Sequence, residues 1–142
     1  MHSSSLTSSN KCFQLTLQID GNLVLYYQAT GAALWSSGTM NSGSLRAIMQ
    51  NDGNFVLYNS DNQPKWSSGT VGNTGSNLIM QDDGNLVIYN SQSKPIWATH
   101  TFAKCPGEIY KFKYCQIVKK NSVVNKLFLT FRKYALSVCS KH

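Results

Sequence analysis

Gln18, Asp20, Asn22, Val24 and Tyr26 recur at the same spacing as Gln50, Asp52, Asn54, Val56 and Tyr58, and again as Gln81, Asp83, Asn85, Val87 and Tyr89. The strings read QIDGNLVLY, QNDGNFVLY and QDDGNLVIY, with starts 32 and then 31 residues apart. An ionised carboxylate only accepts hydrogen bonds, an amide donates and accepts, and a phenol does either. A hydroxyl is bonded well where both kinds of partner are offered, so each set suits a ligand rich in hydroxyl groups. A repeat kept only for packing needs its apolar and turn positions. This one keeps an amide, a carboxylate, a second amide and a phenol as well.

Such residues need elements to hold them. Asp-Gly lies at the centre of each string (Asp20-Gly21, Asp52-Gly53, Asp83-Gly84), with β-formers on both sides: LTLQ and NLVLY, AIMQ and NFVLY, LIMQ and NLVIY. That pattern predicts a hairpin, because both bend residues tolerate positive φ. Glutamine closes the first strand, aspartate and asparagine stand at the bend, and valine and tyrosine lie on the return strand. There Asn22, Val24 and Tyr26 share one face, and Leu23 and Leu25 share the other. Phe55 and Leu57, then Leu86 and Ile88, repeat the apolar face.

A tryptophan follows each hairpin after a further turn: Trp35, Trp66 and Trp97, at intervals of 31. The extra residue of the first repeat falls in the Tyr-to-Trp loop, where insertions are tolerated. A repeated unit that cannot bury its own apolar face is completed by copies of itself. Three sheets around an axis would bury the leucine faces and tryptophans inside and leave the Gln/Asp/Asn/Val/Tyr faces outward. The expectation is an all-β, three-sided prism.

The net charge of +7 is unevenly spread. Residues 1–100 carry four basic side chains (Lys11, Arg46, Lys65, Lys94) against five acids, whereas residues 101–142 carry nine against Glu108 alone. The repeats therefore have no electrostatic footprint for nucleic acid. At 142 residues the chain has room for one ordinary domain with an appendage. Cys12, Cys105, Cys115 and Cys139 allow three pairings, and the sequence does not choose among them. The first residues have neither a basic start nor an apolar stretch, so no secretory signal is read. The corresponding expectation is a cytoplasmic or non-classically secreted protein.

These residues resemble the bulb-type, or monocot-type, mannose-binding lectins, a family with the β-prism II fold. The resemblance covers residues 6–102, and three intact copies of QxDxNxVxY carry it. It implies three four-stranded sheets around a pseudo-threefold axis over a lectin domain at 1–102, followed by a basic, cysteine-containing C-terminal extension at 103–142. It also implies that the fifteen residues named above are carbohydrate-binding. Glutamine would bond the mannose 3-hydroxyl, aspartate and asparagine the axial 2-hydroxyl, and tyrosine the 4-hydroxyl, while valine packs on the ring. Glucose presents its 2-hydroxyl elsewhere and would leave the Asp/Asn pair unmatched. No metal or other cofactor is implied.

Shallow sites of this kind hold a monosaccharide at about millimolar, roughly 4 kcal/mol, and three of them gain strength by avidity on mannose-rich glycans. A homodimer by exchange of C-terminal strands is common in the family. The chain departs from the family in three places. Gly21 and the stretch near Leu45 stand where many plant members have a disulfide. The segment before Ser5 leaves little room for a leading strand. Residues after Phe102 match nothing in the family.

Other chemistries find little support. His2, His100 and His142 lie outside the repeats, and nothing orients His100 and Cys105 as a catalytic pair. A glycosidase needs two carboxyls facing one bond, and one aspartate is common to the repeats. NDGN and DDGN are similar to calcium loops but lack the downstream glutamate. A β-trefoil would have repeats of about forty residues with Gln-x-Trp, whereas Ala33, Pro64 and Pro95 precede these tryptophans. In the tail, Leu127, Phe131, Tyr134 and Val138 fit a helical face, and Leu127, Leu129 and Phe131 fit a strand. A basic amphipathic tail could make weak contact with an anionic membrane surface, the alternative being an extension with no selected function. The rival reading is a prism scaffold acting through the basic tail as an interaction, cytoskeletal or membrane-surface adaptor; a third is a membrane-active defence protein.

Overall fold

The structure is a computed structural model and describes residues 5–105. The expectations for the tail, including its helix or strand, its membrane contact, and Cys115 and Cys139, lie outside the described residues.

Ten strands form three antiparallel sheets. The first comprises β1 (Ser5–Thr7), β2 (Phe13–Leu17), β3 (Leu23–Tyr27) and β4 (Ala32–Ser36), in that order. The second comprises β5 (Ser44–Met49), β6 (Phe55–Asn59) and β7 (Pro64–Ser67). The third comprises β8 (Asn77–Met80), β9 (Leu86–Tyr89) and β10 (Pro95–Ala98). Each sheet is one sequence repeat, with the motif's return strand at its centre. This is the all-β prism expected, but its sheets have four, three and three strands among the described residues, not four each. The stretches linking the sheets are rich in Ser, Gly and Asn, and Gly38, Gly43, Gly69, Gly72 and Gly75 have positive φ, which breaks a strand. A leading strand is present before Ser8: three residues suffice to pair Ser5–Thr7 with Gln14–Thr16.

The motif bends are hairpins with three-residue loops. In the first, Gln18 N donates to Asn22 O at 2.9 Å and Gly21 N to Gln18 O at 3.0 Å. Only the glycine takes positive φ there, so the bend is a turn closed by a left-handed residue and not a two-residue turn with both residues left-handed.

Leu23, Leu25, Phe55, Leu57, Leu86 and Ile88 are buried together, as their alternation predicts, and Phe13, Leu15 and Met80 join them. The tryptophans pack against this cluster half-buried. Their ring centroids stand 5.7, 5.8 and 5.9 Å apart, each pair edge to face, so the three indoles close a triangle between the sheets. Such pairs add about 0.5–1.5 kcal/mol each beyond their area.

A β-bulge puts them there. Tyr26 pairs with Ala33 but Leu25 pairs with Trp35, which leaves Leu34 as an extra residue. Lys65 and Ile96 are the extra residues of β7 and β10. If these residues were paired in continuous register, each tryptophan would fall opposite the motif valine, on the outer face. One inserted residue reverses the face of all that follow.

Cys12 and Cys105 are joined by a disulfide, with Cα atoms 5.8 Å apart and a separation of 93 positions in sequence. It ties the start of the first sheet to the segment after β10. Ala103 N also donates to Asp83 O at 2.9 Å, and the Tyr27 hydroxyl donates to Lys104 O at 3.1 Å. Residues 103–105 are therefore held by the same body as the strands. Cys105 has no free thiol to serve as a nucleophile.

Candidate carbohydrate site

The five motif residues of each repeat come together at one hairpin. Gln18 Nε2 donates to the Tyr26 hydroxyl at 2.7 Å, and the Gln50–Tyr58 and Gln81–Tyr89 pairs repeat the bond at 2.9 Å. This orients both groups. The tyrosine oxygen accepts and keeps its own hydrogen to donate, and the glutamine keeps its carbonyl oxygen to accept. The backbone N–H of Asn22, Asn54 and Asn85 donates to Oδ1 of Asp20, Asp52 and Asp83 at 2.9, 2.9 and 3.0 Å. One carboxylate oxygen thus builds the bend, and the other has no partner among the described residues and can meet a ligand.

The asparagines are oriented as well. Asn22 Oδ1 accepts from Ser37 Oγ at 3.2 Å and Thr39 N at 3.1 Å. Asn54 Oδ1 accepts from Ser68 Oγ and Thr70 N, each at 3.2 Å, and Asn85 Oδ1 accepts from Thr99 Oγ1 at 3.1 Å. With the carbonyl held, the amide nitrogen is the end left to donate. Each bend therefore presents a carboxylate acceptor beside an amide donor, which is what one hydroxyl needs.

The expected outward face needs correcting for two of the five residues. Asn22, Asn54 and Asn85 are only 7–8% exposed, and Val24, Val56 and Val87 only 2–3%. They lie on the central strand, where both flanking strands cover them. Val24 has Thr16 on one side and Ser36 on the other. Glutamine and tyrosine are half-buried, Asp20 is half-buried, and Asp52 and Asp83 are exposed. The result is a recess with valine as its floor and polar groups around it.

Residues beyond the motif hold the recess. Thr39, Thr70 and Thr101 donate from Oγ1 to the carbonyls of Gly21, Gly53 and Gly84 at 2.7, 2.6 and 2.6 Å. Asn41 N donates to Asp20 O, and Gly72 N and Asn73 N to Asp52 O. The segments after the tryptophans (WSSGT, WSSGT, WATHT) thus clamp each bend from behind. Their recurrence in the sequence was the available signal, although it did not reveal the partner.

The chain is similar to lectins of known structure. The chain is 38% identical to a monomeric monocot mannose-binding lectin from Gastrodia elata, covering 71% of this chain and 89% of that one, with a TM-score of 0.63. The chain belongs to the bulb-type, or monocot-type, mannose-binding lectin family. As a member it is a carbohydrate-binding protein and not an enzyme. The lectin is also similar to the Polygonatum cyrtonema lectin, solved in complex with a monomannoside: 36% identity over 68% of this chain and 84% of that one, TM-score 0.55. The B-type lectin plumieribetin of Scorpaena plumieri is 44% identical over 61 residues, 43% of this chain. That match spans about half, 51%, of plumieribetin. No protein-family model matches the chain.

Proposed function

We propose that this lectin binds mannose through three metal-independent recesses, one per repeat, and recognises mannose-rich glycans by engaging several at once. The observation that carries the reading is threefold recurrence of one hydrogen-bonding arrangement: a Gln–Tyr pair, an aspartate with one free oxygen, and an asparagine with its carbonyl held, around a buried valine. Interlocked bonds fix these groups before a ligand arrives, so little ordering is needed on binding. The mannose named for the Gastrodia lectins and the monomannoside held by the Polygonatum lectin support the sugar assignment.

The test is calorimetry with methyl α-mannoside, together with retention on mannan-agarose. Asp20→Asn, Asp52→Asn and Asp83→Asn are made singly and combined. Asparagine still accepts the bend's backbone bond, so these changes probe the ligand and spare the fold. Retention should be reversed by mannose but not by galactose or chelator, and should vanish only in the triple variant. No saccharide response at tens of millimolar, roughly tenfold above the affinity expected, would refute the proposal.

A further inference from the structure

The three recesses are not electrostatically equal. The residue paired with the motif tyrosine across the first hairpin strand is Gln14 in the first repeat, Arg46 in the second and Asn77 in the third. Arg46 is the only arginine among the described residues. Its guanidinium carbon lies 5.9 Å from the Tyr58 ring centre, and Nη2 donates to Asn62 Oδ1. Stacking on the ring and one bond to the turn hold the group at the tyrosine end of the recess. Among the described residues its remaining N–H groups have no partner, and they form a fork that matches a phosphate or carboxylate.

The second sheet also has a cation at its bulge. At the bulge position, where the first and third sheets have Leu34 and Ile96 against the core, the second has exposed Lys65, whose Nζ donates to Gln63 Oε1 at 3.3 Å. Asp61 stands in the same turn as Asn62, and its Oδ1 accepts from Ser60 Oγ at 3.3 Å. The third recess has Lys94 in its turn but no cation opposite its tyrosine. Asp82 lies beside Asp83, where the second repeat has neutral Asn51 and the first Ile19. Asn10 N donates to Asp82 Oδ1 at 2.8 Å.

We propose that the second recess selects mannosides carrying an anion on carbon 6, with Arg46 as the specificity-determining cation. Carbon 6 is the position that takes a phosphate ester, or is oxidised to a carboxylate, without removing the ring hydroxyls that the glutamine, aspartate and asparagine would bond. The proposal rests on the mannose reading above and adds a charge preference confined to one site.

The experiment uses full-length chains with one recess left intact: Asp20→Asn/Asp83→Asn for the second and Asp20→Asn/Asp52→Asn for the third. Methyl α-mannoside, mannose 6-phosphate, mannuronic acid and galactose 6-phosphate are titrated at 20 mM and 0.5 M salt. An exposed cation gives a modest gain. Mannose 6-phosphate or mannuronic acid should bind the second recess roughly three- to fivefold tighter than methyl α-mannoside at low salt, with the gap closing at high salt. Whichever of the two shows the larger gain identifies phosphate or carboxylate as the group read. The gap should shrink in Arg46→Gln and persist in part in Arg46→Lys, and the third recess should show no gain.

Equal affinity for charged and neutral mannosides, or a gap untouched by Arg46→Gln, overturns the proposal while leaving the mannose reading intact. Galactose 6-phosphate binding as tightly as mannose 6-phosphate also overturns it, because charge alone would then be attracting the ligand. If methyl α-mannoside binds none of the chains, the mannose reading fails and this proposal fails with it.

Discussion

Gln50 Nε2 stands 2.9 Å from the Tyr58 hydroxyl and donates to it, so two residues eight positions apart act as one hydrogen-bonding unit across the hairpin. A phenol that already accepts a bond is committed to donating its own hydrogen to whatever enters the recess. Tyr58→Phe, in a chain whose other two motif aspartates are asparagine, should lose about 1 kcal/mol of sugar affinity, roughly fivefold. Calorimetry with methyl α-mannoside measures the loss, and the thermal midpoint should move little.

Thr70 bonds two groups from one hydroxyl: it donates to Gly53 O at 2.6 Å and lies 2.7 Å from Ser68 Oγ. Thr70→Val keeps the shape and leaves the buried Gly53 carbonyl without its partner. The expected cost is about 1–3 kcal/mol. Thermal denaturation should show a fall of roughly 4–8 °C per kcal/mol for a unit of this size.

Gly53 has φ of +90°, and a Cβ built on it would overlap the Asn73 carbonyl of the next loop. Gly69 has φ of +70° with open space around it. Gly69→Ala should therefore cost only the left-handed backbone, about 1–2 kcal/mol. Gly53→Ala must also displace a backbone carbonyl and should cost clearly more. Denaturant titration of the two variants side by side gives the comparison.

The Cys12–Cys105 bond spans 93 residues, nearly the whole described unit. Its loss in Cys12→Ser or under reductant should lower stability by about 2–4 kcal/mol, because the unfolded chain regains the freedom of a long loop. Equilibrium unfolding with and without reductant measures it. Such bonds persist in oxidising compartments.

Much of this architecture was legible from residue order alone. The Asp-Gly bends, the return strands and the buried leucine face depend on neighbours a few positions apart, and repetition made each reading three times over. The fifteen motif residues were legible for the same reason: a hairpin brings Gln18 back to Tyr26 whatever the rest of the chain does. The supports of Asn22 were less visible. Ser37 and Thr39 lie fifteen and seventeen residues away, and only β4, followed by its loop, brings them to the amide.

The local sequence of this protein determined its hairpins, its threefold repetition and the cluster of polar residues at each bend, because short-range turn and strand preferences suffice for those. Only the tertiary structure decided that Leu34, Lys65 and Ile96 bulge and turn the tryptophans inward, that the asparagines and valines are recessed, and that Cys12 meets Cys105. It also decided that Arg46 stacks on Tyr58. Each of these depends on register or on closure of the prism, and pairing between distant strands is set by how the apolar faces pack together, which no run of neighbouring residues encodes.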